Sequence, residues 1–114
     1  MLVRRHRFHG YGSLKAVYSR GQSARGGPLS LKYASRDPRR PYRVAVVVSR
    51  KVNKSAVTRN RIRRRVYEAV RRHQPAPPPG ADLIFTAFDD RLAAMESAKL
   101  ENLVAELLQK ANRN

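Results

Sequence analysis

The chain has 114 residues, with 25 Lys plus Arg against 8 Asp plus Glu, so its formal charge at neutral pH is +17. That length and a 41% hydrophobic content suit one compact domain spanning 1–114 and argue against full disorder. The absence of cysteine excludes a disulfide framework, a Cys-ligated zinc site and a thiol nucleophile.

The amino terminus is basic and runs into Gly10-Tyr11-Gly12-Ser13 with no long apolar core, so no secretion signal is expected. Ser13 can cap a short helix carrying Leu14, Val17 and Tyr18 on one side and stopping at Gly21. Gln22 to Gly27 reads as a loop. Leu29, Leu31 and Tyr33 then alternate with Ser30, Lys32 and Ala34 at the period of a half-buried strand. Ser35 to Pro41, with Asp37-Pro38, reads as a turn. Tyr42 to Ser49 is dominated by valine and is expected to be a central strand buried on both faces.

A second helix follows Asn53 to Thr58 and must stop before Gln74-Pro75-Ala76-Pro77-Pro78-Pro79-Gly80, read as a loop inside the domain. Asp82 to Phe88 is another apolar strand, and Asp89 to Met95 a connection with room for a helical turn. Leu100, Leu103, Val104, Leu107, Leu108 and Ala111 mark a final amphipathic helix with Ser97 as its cap. The order predicts an α+β fold: a small α-β sandwich whose central, mainly antiparallel sheet carries packed helices. Val44 to Val48 is typical of the apolar stretches, all far shorter than the ~20 residues of a membrane helix, so a cytoplasmic protein with no membrane partner is expected.

Charge is unevenly placed. Residues 1–50 hold 12 basic and 1 acidic side chains, 51–75 hold 9 and 1, and 76–114 hold 4 and 6. Such a one-sided field raises self-repulsion and is relieved by a polyanion, with nucleic acid favoured over an anionic membrane surface. Arginine outnumbers lysine 19 to 6, and its planar fork suits phosphate and base stacking, although a coding bias would give the same excess.

In the helix after Thr58, Ile62, Val66, Ala69, Val70 and His73 share one stripe at 100° per residue, which must pack on the sheet. Asn60, Arg63, Arg64, Tyr67 and Arg71 fall opposite, with Arg61, Arg65 and Arg72 on a flank. A merely solvated helix would be laced with acid–base pairs, yet only Glu68 is present, and Asn60 adds a donor and an acceptor that can read a 2′-hydroxyl or base edge.

Arg59-Asn60-Arg61-Ile62-Arg63-Arg64, preceded by Ser49-Arg50-Lys51-Val52 and a valine strand, resembles the Arg-Asn-Arg signature of the protein subunit of bacterial ribonuclease P. The likeness extends to Leu14-Lys15-Ala16-Val17-Tyr18-Ser19-Arg20-Gly21 and to the acidic last helix. Asn53 stands where that family usually has glycine, asparagine being the best alternative for a left-handed backbone. Tyr67 takes a place usually held by arginine.

The resemblance implies a left-handed crossover around the arginine helix and a protein that assists a catalytic RNA, whose Mg²⁺-dependent hydrolysis removes the 5′ leader from precursor tRNA. It implies ribonuclease P RNA as partner, with one protein per RNA, contacted by Arg59, Asn60, Arg61, Arg63 and Arg64. Arg50, Lys51, Lys54 and Arg71 extend that basic surface. It also implies a leader cleft for which Phe8, Tyr11, Tyr18, Lys32 and Tyr33 are candidates, Tyr18 and Tyr33 doubling as core residues. No catalytic residue, protein-bound metal or protein-bound cofactor is expected. Asp82, Asp89 and Asp90 read as caps or solubilising residues, His73 as packed, and His6 and His9 as possible phosphate contacts. The alternatives are a small basic ribosomal or other structural RNA-binding protein, a DNA-binding module, and a protein enzyme acting alone.

Overall fold

The structure is a computed structural model and describes residues 21–35 and 37–112. The short helix expected after Ser13, and with it Phe8, Tyr11, Tyr18, His6 and His9, lies outside the described residues.

Gln22 to Gly27 is not a loop. Gln22–Gly26 forms strand β1, antiparallel to β2 (Leu29–Ser35), with Gln22 opposite Tyr33 and Gly26 opposite Leu29. The two-residue turn between them places Gly27 at φ 56°, the sign a II′ turn needs at its first central residue. β1 carries little apolar pattern because only Ala24 packs against the core, while Gly26 sits under Leu103.

The valine strand, β3 (Arg43–Val48), is followed by helix α1 (Ala56–Arg72) and strand β4 (Ala81–Ala87). The sheet order is β1-β2-β4-β3, so β3 is an edge strand among the described residues and β2 and β4 are central. Val44, Val46 and Val48 are buried on the helix side and Val47 is half-buried on the other, a pattern that residue type alone does not distinguish from a central place. β2 and β4 are antiparallel, with Leu31 opposite Phe85, whereas β3 and β4 are parallel, with Val46 opposite Phe85. The sheet is therefore mixed, because α1 returns the chain to the same end before β4 begins.

A 3-10 turn (Asp90–Ala93) and helix α2 (Ser97–Asn112) complete the described chain. Ser97 is the first residue of α2 and not its cap, the Leu100 N–H reaching the Glu96 carbonyl. The main core lies between the sheet and the two helices. Leu29, Leu31, Val44, Val46, Val48, Leu83 and Phe85 meet Ile62, Val66, Val70, Leu100, Val104 and Leu107. α1 lies over β3 and α2 over β1 and β2. On the other face of the sheet, Ala45 and Ile84 are buried in a second small cluster with Ala34 and Val47.

Two features fix the ends of the strands. Asp82, the buried charged residue of the described core, accepts both arms of the Arg43 fork at 2.9 and 3.0 Å across the paired ends of β3 and β4. This is a register lock between neighbouring strands, not the cap or solubilising role expected of Asp82. The proline loop closes on Gly80 at φ 81°, where a Cβ would lie 2.6 Å from the Asp37 carbonyl oxygen.

Candidate nucleic-acid interface

The arginine helix starts from a loop that its own side chains hold. Ser55 caps α1 by accepting the Thr58 N–H at 3.3 Å. Asn53 accepts the Ser55 N–H at 2.8 Å and donates to Asp90 at 3.0 Å. The described residues include no non-glycine residue at positive φ, so Asn53 serves through its amide and not through a left-handed backbone. Arg59 reaches back and donates to the Asn53 and Lys54 carbonyls at 3.0 and 2.9 Å. That clasp steadies a loop on which Arg50, Lys51 and Lys54 are exposed.

Along α1 the arginines divide by what they touch. Asn60, Arg61 and Arg64 are exposed on the outer face, beside Val57. Arg63 is half-buried and donates to the Asn60 side-chain oxygen, which leaves the Asn60 amide hydrogens facing outward as donors. Arg65 turns inward and donates to the Leu92 carbonyl at 2.7 Å and to the Met95 carbonyl, tying α1 to the 3-10 turn. Burial, and then the neighbouring Arg61 charge, lower the Arg65 pKa, although a guanidinium stays protonated throughout the working pH range.

At the far end, Arg71 donates to Glu68 and is the main cause that lowers that carboxyl to about 2, while Glu68 raises the Arg71 pKa in return. Arg72 pairs with Glu101 of α2 at 3.3 Å. The exposed cationic face therefore includes Arg61 and Arg64, with Arg61 on the flank beside Arg65 as expected.

Tyr67 departs from the helical-wheel assignment. It is buried in the main core and not on the cationic face, because a long aromatic side chain at the border of the stripe reaches over it. His73 is not on the packed stripe of the helix. It is the C-terminal cap residue, with extended backbone and its ring Nδ1 2.9 Å from the Pro75 carbonyl oxygen.

The two described leader candidates are consecutive on β2 and so project to opposite faces. Tyr33 packs against the main core on the helix side, its hydroxyl donating to Gln22 at 3.2 Å. Lys32 shares the other face with Ser30 and Ala34. On that face the structure adds a pair the sequence did not single out: the Arg25 guanidinium carbon lies 4.2 Å from the centroid of the Phe88 ring. A Phe directly after the last inward residue of β4 was the available signal.

The carboxylates are engaged by the chain. Asp89 caps the 3-10 turn through the Arg91 N–H, as its expected role required, and Asp90 accepts from Asn53. Among the described residues no group of three or more His, Cys, Asp or Glu side chains comes together as a metal ion would need. No helix among them is long and apolar enough to cross a membrane.

A four-stranded mixed sheet with two helices on one face, and an exposed Arg/Asn face on one of those helices, define a small α+β RNA-binding protein. Residues 2–112 match the family model described as Ribonuclease P. The chain is 42% identical over 91 residues to the ribonuclease P protein component of Roseiflexus castenholzii, covering 80% of this chain and 73% of that protein. It is 36% identical to the ribonuclease P protein component of Synechococcus sp. (strain JA-2-3B'a(2-13)), over 98% of this chain and 86% of the relative. In fold it is similar to the RNase P protein of Staphylococcus aureus, with a TM-score of 0.77 and 21% identity over 93% of this chain and 94% of that one. The chain belongs to the ribonuclease P protein family. It is the protein component of that endoribonuclease and aids RNA-catalysed 5′ processing of precursor tRNA.

Proposed function

We propose that the outer face of α1, with the loop before it, is the surface that grips the ribonuclease P RNA, and that the face of the sheet turned away from α1 and α2 receives the precursor's leader. The observation that carries the first part is the exposure of Asn60, Arg61 and Arg64 side by side, while Arg65 and Arg72 of the same run are engaged with the rest of the chain. Arg50, Lys51 and Lys54 continue this surface, and Arg63 orients Asn60 within it. Arg59 and Arg71 border it with guanidinium groups that already hold chain acceptors, so they shape the surface as well as charging it.

In this reading one domain spanning residues 1–114 binds one RNA subunit in the cytoplasm. Lys32, with Phe8, Tyr11 and Tyr18, attends the leader, and Tyr33 supports β2 from the helix side. The parallel β3–α1–β4 crossover is left-handed, against the general preference. The similarity to the Staphylococcus aureus RNase P protein supports that fold reading. Mg²⁺ belongs with the RNA subunit, which carries out hydrolysis. Asp82, Asp89, Asp90 and Glu68 meanwhile hold positions in the protein's own scaffold.

The test is reconstitution with a bacterial ribonuclease P RNA at low Mg²⁺, scored by leader removal and by affinity for the RNA. Arg61→Ala with Arg64→Ala should keep wild-type helicity and lower affinity at least tenfold, with a salt slope shallower by about 2, one for each lost phosphate contact. Unchanged affinity would reject the assigned surface.

A further inference from the structure

We infer that Phe88, with Arg25 stacked on it, is a platform for one unpaired nucleotide of the leader, a role resting on the reading of the sheet face given above. Phe88 is 47% exposed, and it and Val57 are the exposed large hydrophobic side chains of the described core. Its place follows from register. Leu83, Phe85 and Ala87 point to the helices, so Ile84, Thr86 and Phe88 point to the opposite face. Ser30 pairs with Arg25 on one side and with Thr86 on the other, which puts Arg25 on that same face. The Phe88 N–H extends the ladder onto the Pro28 carbonyl at 2.8 Å and fixes the backbone beneath the ring.

The cation is also held. Arg25 Nε donates to the Gly27 carbonyl at 3.2 Å, and its guanidinium carbon lies 4.2 Å from the ring centroid. The Arg91 guanidinium lies beside Gly27 and is paired with the Asp89 carboxylate at 3.8 Å, so Arg25 is the cation that serves the ring. The carboxylates that follow Phe88 in the chain are engaged, Asp89 by the Arg91 N–H and guanidinium and Asp90 by Asn53.

An aromatic ring beside a fixed cation is the combination that holds single-stranded nucleic acid, the base on a π-face and the phosphate on the guanidinium. Lys32 shares the face. Its partner Ile84 is four residues before Phe88, about 13 Å along the strand, so both positions lie along one short stretch of strand. A net charge of +17 favours a polyanion over an apolar partner at this ring.

The test uses the reconstituted holoenzyme with a precursor tRNA, the same tRNA lacking its leader, and leaders with one abasic position moved along them. Phe88→Ala and Phe88→Leu should weaken binding of the leader-bearing substrate about fivefold or more, leave the leaderless tRNA unchanged, and keep the melting temperature. Phe88→Trp should retain affinity. One abasic position should cost the wild-type protein a similar factor and cost Phe88→Ala nothing further. An abasic profile identical in the two proteins, or a Phe88→Ala loss shared by the leaderless tRNA or by the RNA subunit itself, overturns the platform. Equal wild-type binding with and without a leader overturns the sheet-face reading beneath it.

Discussion

Arg65 and Arg64 are neighbours in sequence with opposite duties. Arg65 donates to two carbonyls, Leu92 and Met95, in a partly buried setting. Removing it strands those acceptors, so Arg65→Ala should destabilise the fold by about 1.5–3 kcal/mol in urea titrations, whereas Arg64→Ala should stay within about 0.5 kcal/mol. Glu68 offers a second check. Its carboxyl is lowered to about 2, chiefly by the hydrogen bond from Arg71, below its ordinary unfolded value. A depressed carboxylate contributes stability above the unfolded pKa and loses it as pH falls through the folded one. Glu68 should therefore still be ionised at pH 4 in a carboxyl NMR titration, and Arg71→Ala should move its midpoint up towards the ordinary carboxylate range.

Among the elements, the proline loop depends on one backbone conformation. Gly80 has φ 81° and no space for a Cβ against the Asp37 carbonyl, and because that neighbour is backbone it cannot swing aside. Gly80→Ala should cost about 2 kcal/mol or more, read as a lower urea midpoint with an unchanged slope. The elements were unevenly legible in the sequence. α1, α2, β2 and β4 carry clear periods and were read within a residue or two. β1 was missed because its partner strand supplies nearly all the apolar contact, and the Gly27-Pro28 turn was its one local cue. β3 was read as central because valines report burial and not neighbours; Val44 faces the helices while Ala45 is covered on the other side. Tyr67 was misplaced by a wheel that treats side chains as points on a cylinder.

At the scale of the molecule, charge and architecture are separated. Residues 1–75 carry all of the excess positive charge, while residues 76–114 are net acidic, and the Arg72–Glu101 pair is one bridge between the two parts. If ~6 phosphates are contacted, RNA affinity should fall with a log–log salt slope of about −4 to −5, measured by filter binding across a salt series; a slope near zero would remove the electrostatic account. The arginine face was legible because it needs only a helical period and a shortage of acids. Which arginines stay outside was not, since the carbonyls that capture Arg59 and Arg65 come from Asn53, Lys54, Leu92 and Met95, distant or irregular backbone that no spacing announces. The strut formed by Arg65 therefore limits how this gene can drift. Lysine keeps the charge at the exposed positions 61 and 64, but a single ammonium lacks the rigid fork that spans two carbonyls at position 65. Codon usage could recolour much of the basic surface and still have to spare that site, as it would the Arg43 fork on Asp82.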